Sequence, residues 1–449
     1  MYEIIFKGDS FMKFKKIMAA VVTGMMAFSL MACGSSSSSS SSTSSSSKGK
    51  DDKTITIWAW DDTFNIKAAN MAKERYLKNH PDVTINVVSM AQDDVVQKLN
   101  TSLSSGTYDG LPNVVLIEDY RIQNYLQSYP GEIKDLSGKV DKTKFADYKL
   151  NVMSDGSKFY GVPFDSGVAA LFYRTDLIEQ AGYTKDDMKN LTWEKFIEIG
   201  KAVKAKTGKA MLTIDPSDLN QLRIMMQSAG SWYVKEDGKT VNISGNQALK
   251  DAINIYKQMV DAGITKQVSG WDAFLAAFQK GDVASVPSGC WISSSIQKSE
   301  DQKGKWAVTA IPRLGANSKS VNASNSGGSS WYVLDKVGNS DLAADFLAST
   351  FGSDKDLMND LVPAIGLVST LKEASTSENY SKPVDFYGGQ EVFKDMADWT
   401  TKVPAVNYGL YTYQLESVMS EGMQAIVAGA NVDETLQKTQ AQAEAAVSK

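Results

Sequence analysis

A chain of 449 residues with 43% hydrophobic and 22% charged residues is long enough for two or more globular domains. Its formal net charge of −5 gives no support to nucleic-acid binding, which needs a basic face. Two cysteines and one histidine are too few for a Cys/His zinc site, and His-dependent catalysis would have to use His80. We predict no metal and no cofactor, and we interpret His80 as a solvent-facing residue at a helix end.

The N-terminal residues have the pattern of an export signal. Lysines precede an apolar run from Ile17 to Ala32, which is too short for a comfortable membrane span. Met12 is the predicted translation start, with Met1 as the alternative, and residues 1–32 form the predicted signal peptide. The segment ends in Leu-Met-Ala-Cys33, which resembles the bacterial lipobox. That resemblance implies diacylglycerol attachment to Cys33, and an ordinary secretory signal is the alternative.

A serine tract follows the cysteine. Serines and glycines between residues 33 and 52 cannot bury apolar surface, so we expect a flexible tether there. Two or more acyl chains give stable anchoring, whereas one chain alone is marginal. The sequence therefore predicts a protein that is lipid-anchored on the extracellular face of a bacterial cell membrane.

From residue 53 the chain alternates strand patterns with helix patterns. The β-rich segment 54–60 precedes a helical pattern in which Asp61 or Asp62 is placed to cap. Strand patterns at 82–90 and 113–119 flank a second helix. This alternation predicts an α/β fold with a parallel, doubly wound sheet. Ligands bind such sheets beyond the carboxyl ends of the strands.

A second α/β region follows the first. Residues 167–178 have the pattern of a strand that leads into a helix, and a helix opened by Thr192 comes next. A turn at Asp237-Gly238 predicts a hairpin. The last helix is predicted to start at Asn431 or Asp433.

Several of these segments resemble one known family. "AAFQKGDVASVPSGCW" (276–291) resembles the helix–turn–strand motif of family 1 extracellular solute-binding proteins, the maltose-binding-protein-like sugar-binding lipoproteins of bacterial ABC importers. "GVPFDSGVAALFYRTDLI" (161–178) and "GGSSWYVLDK" (327–336) resemble the two crossovers between their lobes. "IVAGANVDETLQKTQAQAE" (426–444) resembles their closing helix. The resemblance covers essentially all of residues 53–449.

The resemblance implies two lobes, each a doubly wound sheet, joined by crossover hinge strands. Lobe 1 would comprise residues 53–165 and 328–366, and lobe 2 residues 167–326 and 370–449. Such lobes close over a ligand by hinge bending. The partners would be a carbohydrate and the ABC permease, with the protein itself a monomer. The chain has no nucleotide-binding P-loop motif, so the ATPase would be a separate chain.

Candidate ligand residues combine two kinds of side chain. Aromatic rings stack on the apolar C–H faces of a sugar, and carboxylates, amides and arginine anchor its hydroxyl groups. Strand ends and the family resemblance together select Trp60, Asp61, Phe64, Glu118, Asp119, Asp165, Ser166, Asn220, Arg223, Trp232, Trp291, Gly328, Tyr408 and Tyr411.

Structural roles compete with these assignments. Asp61 could simply cap a helix, Trp232 and Trp291 could pack in the core, and Trp58 alternates with Trp60, so that one of the two would point inward. Cys290 is interpreted as a buried free thiol.

Three functions remain open on the sequence alone. The first is the substrate-binding subunit of an ABC importer for a carbohydrate, and the aromatic content points to an oligosaccharide. The second is a secreted glycoside hydrolase that uses paired carboxylates. Glu118 and Asp119 are adjacent and would not easily straddle a bond, but Asp61 or Asp165 could supply a second carboxylate. The third is a sensory sugar-binding module that docks on a signalling receptor.

Overall fold

The computed structural model describes residues 52–448. The predicted signal peptide, the lipidation site Cys33 and the serine tract lie outside the described residues. Within the described range, no helix is long and apolar enough to cross a membrane. That range also holds no cluster of three or more His, Cys, Asp or Glu residues that could bind a metal ion.

Strands and helices alternate along most of the described chain. The strands are β1 (Thr54–Ala59), β2 (Thr84–Ser89), β3 (Val114–Glu118), β4 (Ser154–Asp155), β5 (Lys158–Phe159), β6 (Gly161–Pro163), β7 (Ala169–Arg174), β8 (Leu212–Ile214), β9 (Thr265–Gln267), β10 (Ser285–Gly289), β11 (Trp306–Ala310) and β12 (Ser329–Val333). The helices are α1 (Asn65–Leu77), α2 (Gln92–Ser105), α3 (Asp119–Ser128), α4 (Asp147–Leu150), α5 (Thr175–Gln180), α6 (Trp193–Thr207), α7 (Asn220–Ser228), α8 (Gln247–Asp261), α9 (Trp271–Gln279), α10 (Ser293–Ile296), α11 (Ser340–Ser349), α12 (Lys355–Ile365), α13 (Val392–Thr400), α14 (Thr412–Val427) and α15 (Val432–Val447).

The first sheet has the strand order β2-β1-β3-β12-β6. Strands β2 and β3 pair parallel with β1, as the alternation of strands and helices predicts. Strand β12 pairs antiparallel with both β3 and β6, and it enters the sheet after the long excursion through residues 167–326. The α/β class is confirmed, and the sheet is mixed rather than wholly parallel.

The second group of strands is also mixed. Strand β7 is buried along its whole length and pairs antiparallel with β10 and with β11. Strands β8 and β9 pair parallel, and a parallel bridge between Ala210 and Val283 places β8 beside β10. The strands of this group all lie within residues 167–326, and those of the first sheet lie outside that range. The exact lobe boundaries stay a prediction.

Local capping decides where several helices begin. The Thr192 side chain accepts a hydrogen bond from the Lys195 N–H at 3.2 Å, which confirms the predicted start of α6. At α15 the side chain of Asn431, rather than Asp433, accepts from the Glu434 N–H at 3.1 Å.

The two crossover segments touch each other at glycines. A Cβ atom on Gly167 would lie 2.7 Å from the carbonyl carbon of Gly327 and 2.7 Å from the nitrogen of Gly328. The three nearest atoms all belong to the backbone of Gly327 and Gly328, so no flexible side chain could move aside. The close approach of the two hinge segments therefore requires glycine at residue 167.

We expect Gly167→Ala to lower the free energy of unfolding by about 1–3 kcal/mol, because the added methyl forces the crossovers apart. Urea denaturation measures this difference. Gly138→Ala is the matched control, since a Cβ there meets no atom within 4 Å. Equal stability of the two variants would contradict the prediction.

Candidate functional site

The three candidate ligand residues after β1 have different environments in the structure. Asp61 has a φ of 60°, and its carboxylate accepts hydrogen bonds from the N–H groups of Thr63 at 2.9 Å and Phe64 at 3.2 Å. This carboxylate therefore caps the turn that leads into α1. Phe64 is only 3% exposed, and its ring packs edge-on against Phe164 in the core. Trp60 is half-buried just beyond the end of β1.

A buried charge cluster occupies the hinge. The Lys149 Nζ lies 2.7 Å from Asp119 Oδ2 and donates a hydrogen bond to the Ser329 carbonyl at 3.2 Å. Asp165 accepts from the Ser329 N–H, so its carboxylate holds the second crossover. A Cβ on Gly328 would lie within 3.1 Å of both Asp119 Oδ2 and Lys149 Nζ. One buried cation thus faces two buried carboxylates.

Four of the candidate ligand residues lie in or beside this buried charge cluster, whereas the sequence predicts that they contact the ligand. Asp119 and Asp165 are 1% and 4% exposed, and Ser166 is fully buried with its hydroxyl 3.1 Å from that of Thr400. Gly328 is buried beside them, with a φ of 97°. A carboxylate enclosed by a lysine and a backbone N–H has no open face for a sugar hydroxyl. The structure therefore places these residues inside the hinge rather than on the cleft surface.

Burial raises the pKa of Asp165 to about 6, while Lys149 and the Ser329 N–H favour the ionised form. The folded protein therefore binds this proton more tightly than the unfolded chain does. The contribution of this group to stability is complete below about pH 4 and is lost as the pH rises through about 6.

We expect Asp165→Asn to remove this pH dependence. The free energy of unfolding of the variant, relative to the wild type, should rise between about pH 4 and pH 7, as measured by urea denaturation at several pH values. Asp155→Asn, at an exposed carboxylate, is the control. A difference that stays constant across the range would contradict the assignment.

A cavity of about 550 Å³ lies between elements of the two strand groups. Glu118, at the end of β3, accepts hydrogen bonds from Arg121 Nε and from the Tyr413 hydroxyl, both at 2.8 Å. On the facing side, Arg223 pairs with Glu416 at 2.7 Å. The residues that line the cavity are Gln92, Asp93, Glu118, Arg121, Ser217, Asp218, Leu219, Arg223, Tyr413, Glu416, Ser417 and Ser420.

The two arginines that line this cavity are each held by neighbouring side chains. Arg121 stacks over the Tyr413 ring at 3.7 Å, and Arg223 also pairs with Asp218 at 3.0 Å. The guanidinium and carboxylate groups are held in fixed positions by these partners. Such groups bind the hydroxyls of a neutral polar ligand through charge-assisted hydrogen bonds.

An aromatic cluster adjoins Arg223, whose guanidinium lies 5.6 Å from the centroid of the Tyr120 ring. The Tyr120 ring lies 5.3 Å from Trp232 and 4.7 Å from Tyr408, and its hydroxyl accepts from the Gly327 N–H at 2.9 Å. Trp232 is 2% exposed and donates to Thr412 at 3.0 Å, and Tyr408 is also buried. These three rings join the two halves of the molecule in this conformation.

Trp291 and Asn220 occupy a more open position. The half-buried Trp291 indole donates to the Ser326 carbonyl at 2.9 Å, and the Ser326 hydroxyl donates to Asn220 Oδ1 at 2.6 Å. A Cβ on Gly289 would overlap the Trp291 ring, so this glycine makes room for the indole. Tyr411 is half-buried at the start of α14.

Sequence reasoning missed several residues of this region. Tyr120 and Arg121 directly follow the Glu118-Asp119 pair, and Tyr413 and Glu416 extend the aromatic segment that contains Tyr408. The helical spacing could have revealed Arg121, because residues three apart at a helix start are neighbours and Arg121 comes three residues after Glu118. The partners of Tyr120 are remote in sequence, and no local pattern marks them.

Comparisons with known proteins agree on one family. The pattern described as bacterial extracellular solute-binding protein matches residues 71–387. The lactose-binding protein of Rhizobium radiobacter is 49% identical over 389 residues, which cover 87% of this chain and 92% of that protein. The arabinooligosaccharide-binding protein of Bacillus subtilis (strain 168) is 28% identical over 351 residues, 76% of this chain and 77% of that protein.

Solved structures share the fold at lower identity. The ABC transporter associated binding protein from B. animalis subsp. lactis Bl-04, in complex with β-1,6-galactobiose, has a TM-score of 0.73 at 20% identity, over 87% of this chain and 96% of that one. The galacto-N-biose/lacto-N-biose I-binding protein from Bifidobacterium longum has a TM-score of 0.72 at 22% identity, over 88% and 97%. At these identities the likeness concerns the two-lobed fold alone.

Proposed function

Because this chain belongs to the bacterial extracellular solute-binding proteins, we propose that it captures a carbohydrate between its two lobes and delivers it to an ABC permease. The family and the relatives are binding proteins, so the chain is not an enzyme and the glycoside hydrolase hypothesis is set aside. The same family membership places the protein outside the cytoplasm.

A lactose-like disaccharide is the proposed ligand. The 49% identity to a lactose-binding protein extends over 92% of that relative, so the comparison includes both lobes. Lactose is neutral, with many hydroxyl groups and apolar ring faces. The observation that carries the proposal is the cavity lined by Glu118 and Arg121 from one side and by Arg223 and Glu416 from the other. Trp291 adjoins this cavity, because its indole is joined through Ser326 to Asn220, which directly follows a lining residue.

Hinge closure explains how one ligand can bind to both lobes. Glu118 ends β3 of the first sheet and Arg121 lies in the first turn of α3, whereas Arg223 and Glu416 lie on α7 and α14. A ligand that contacts both sets binds the closed form better and shifts the population towards it. The glycine contact between the crossovers is the pivot available for this movement.

Calorimetry on the purified chain carrying Cys33→Ser tests the proposal against lactose, galactose, maltose and an arabinooligosaccharide. We expect lactose to bind without hydrolysis, as product analysis would verify. Turnover of any glycan would contradict a binding function. Binding only to peptides or polyamines would contradict the carbohydrate assignment, and preference for another sugar would contradict the lactose assignment alone.

We also propose that Cys33 carries a lipid anchor and that the following serine tract acts as a tether. The support is the lipobox-like Leu-Met-Ala-Cys33 at the end of the apolar run. We expect the wild-type chain expressed in a bacterial host to partition into detergent and the Cys33→Ser chain to remain in the aqueous phase. Aqueous partitioning of both would favour an ordinary secretory signal.

A further inference from the structure

An exposed tryptophan lies beside Trp291. Trp271 is 47% exposed, and its ring centroid lies 5.8 Å from that of Trp291 with 40° between the two planes. Single exposed hydrophobic side chains are common on protein surfaces and need no explanation. Here two large rings adjoin, and they form a continuous aromatic surface that is open to solvent.

This aromatic surface lies at one edge of the second strand group. Strands β9, β8 and β10 run in the same direction, because β8 pairs parallel with β9 and the Ala210–Val283 bridge is also parallel. Trp271 follows the carboxyl end of β9, Asn220 follows that of β8, and Trp291 follows that of β10. Ligands of α/β sheets bind at this edge.

The Trp271 indole is supported from behind. Its ring lies 5.4 Å from Phe274, which lies 5.5 Å from the fully buried Phe278, so a row of rings runs from the core to the surface. The preceding Gly270 N–H donates to Asp215 Oδ2 at 3.1 Å, which ties the start of α9 to the loop after β8. Because the ring is held in place, binding there costs little conformational entropy.

We propose that Trp271 is a specificity-determining residue that stacks on the second sugar ring of a disaccharide while Trp291 contacts the first. Two ring planes at 40° cannot both lie flat against one pyranose, but they fit two pyranoses joined by a glycosidic bond. This inference rests on the proposed function and narrows its ligand class to disaccharides or longer sugars. Trp271 thereby selects disaccharides over monosaccharides.

Calorimetry on the full chain carrying Cys33→Ser, with lactose and galactose as probes, tests this role. We expect Trp271→Ala to weaken lactose binding about tenfold and to leave galactose binding and the Tm nearly unchanged. Trp271→Phe should retain most of the lactose affinity, since it keeps a ring. Val321→Ala, at an apolar residue that is 40% exposed, is the matched control and should change neither affinity.

Acrylamide quenching gives an independent readout, because lactose should shield the exposed indole and Trp271→Phe should abolish that protection. Unchanged lactose affinity in Trp271→Ala overturns the inference and leaves the proposed function intact. Equal weakening for both sugars also overturns it, with a lowered Tm indicating a structural role and an unchanged Tm indicating contact with the first sugar ring. A wild-type chain that binds no sugar overturns the proposed function and this inference together.

Discussion

Replacing Lys149 with methionine is expected to lower the free energy of unfolding by about 3–5 kcal/mol. The Nζ is fully buried and lies 2.7 Å from Asp119 Oδ2, and it also donates to the Ser329 carbonyl. Without it, the buried carboxylates of Asp119 and Asp165 have no cation to compensate their charge. Burial raises the pKa of the Asp119 carboxyl, and Lys149 opposes that shift, so the lysine is what favours the charged form there.

Two further variants separate charge compensation from loss of packing. Lys142→Met changes an exposed lysine and should leave the stability nearly unchanged. The double variant Lys149→Met/Asp119→Asn removes one of the carboxylates and should recover part of the loss. If the double variant is as unstable as Lys149→Met alone, the uncompensated charge on Asp119 does not cause the loss of stability. Urea denaturation at pH 7 measures all three differences.

Replacing Trp291 with alanine is expected to weaken sugar binding by at least about 30-fold, with a small effect on the Tm. The indole is half-buried at the carboxyl end of β10, and it is the inner ring of the aromatic surface that continues to Trp271. Its Nε1–H donates to the Ser326 carbonyl at 2.9 Å, so one edge of the ring is fixed to the backbone beside the hinge.

The Trp291→Phe variant distinguishes the ring from its hydrogen bond. Phenylalanine keeps an apolar face and loses the bond to Ser326, so we expect an affinity between those of the wild type and Trp291→Ala. Calorimetry with lactose and thermal unfolding check both variants. A large fall in the Tm of Trp291→Ala with little change in affinity would show that this side chain supports the core instead.

Three acidic residues show where sequence reasoning about the site stops. The sequence predicts Glu118, Asp119 and Asp165 alike as acceptors for sugar hydroxyls. In the structure Glu118 lines the interlobe cavity, whereas Asp119 and Asp165 face Lys149 inside the hinge. Lys149 gives no sign of this role in the sequence, because a lysine is seldom fully buried and its partners lie on remote segments.

The aromatic residues show the same division. Trp291 is recognisable in the sequence from its place in a family motif, and it is half-exposed beside the hinge. Trp232 is also a candidate ligand residue in the sequence, yet its ring is buried between those of Tyr120 and Tyr408. Exposure decides between a stacking surface and a packed core, and exposure depends on which remote segments cover the ring.

Sequence reasoning predicted the α/β class, the alternation of β1 through β3 with helices, the cap at Thr192, and the resemblance to solute-binding proteins. It left Asn431 and Asp433 as alternatives for the start of the last helix, and the structure has Asn431 as the cap. Periodicity and capping depend on residues a few positions apart, so they can be read locally. The antiparallel course of β12, the enclosure of Lys149 and the contact between Trp271 and Trp291 are visible only in the folded chain. Pairing and burial depend on segments that are distant in the chain and meet only when it folds.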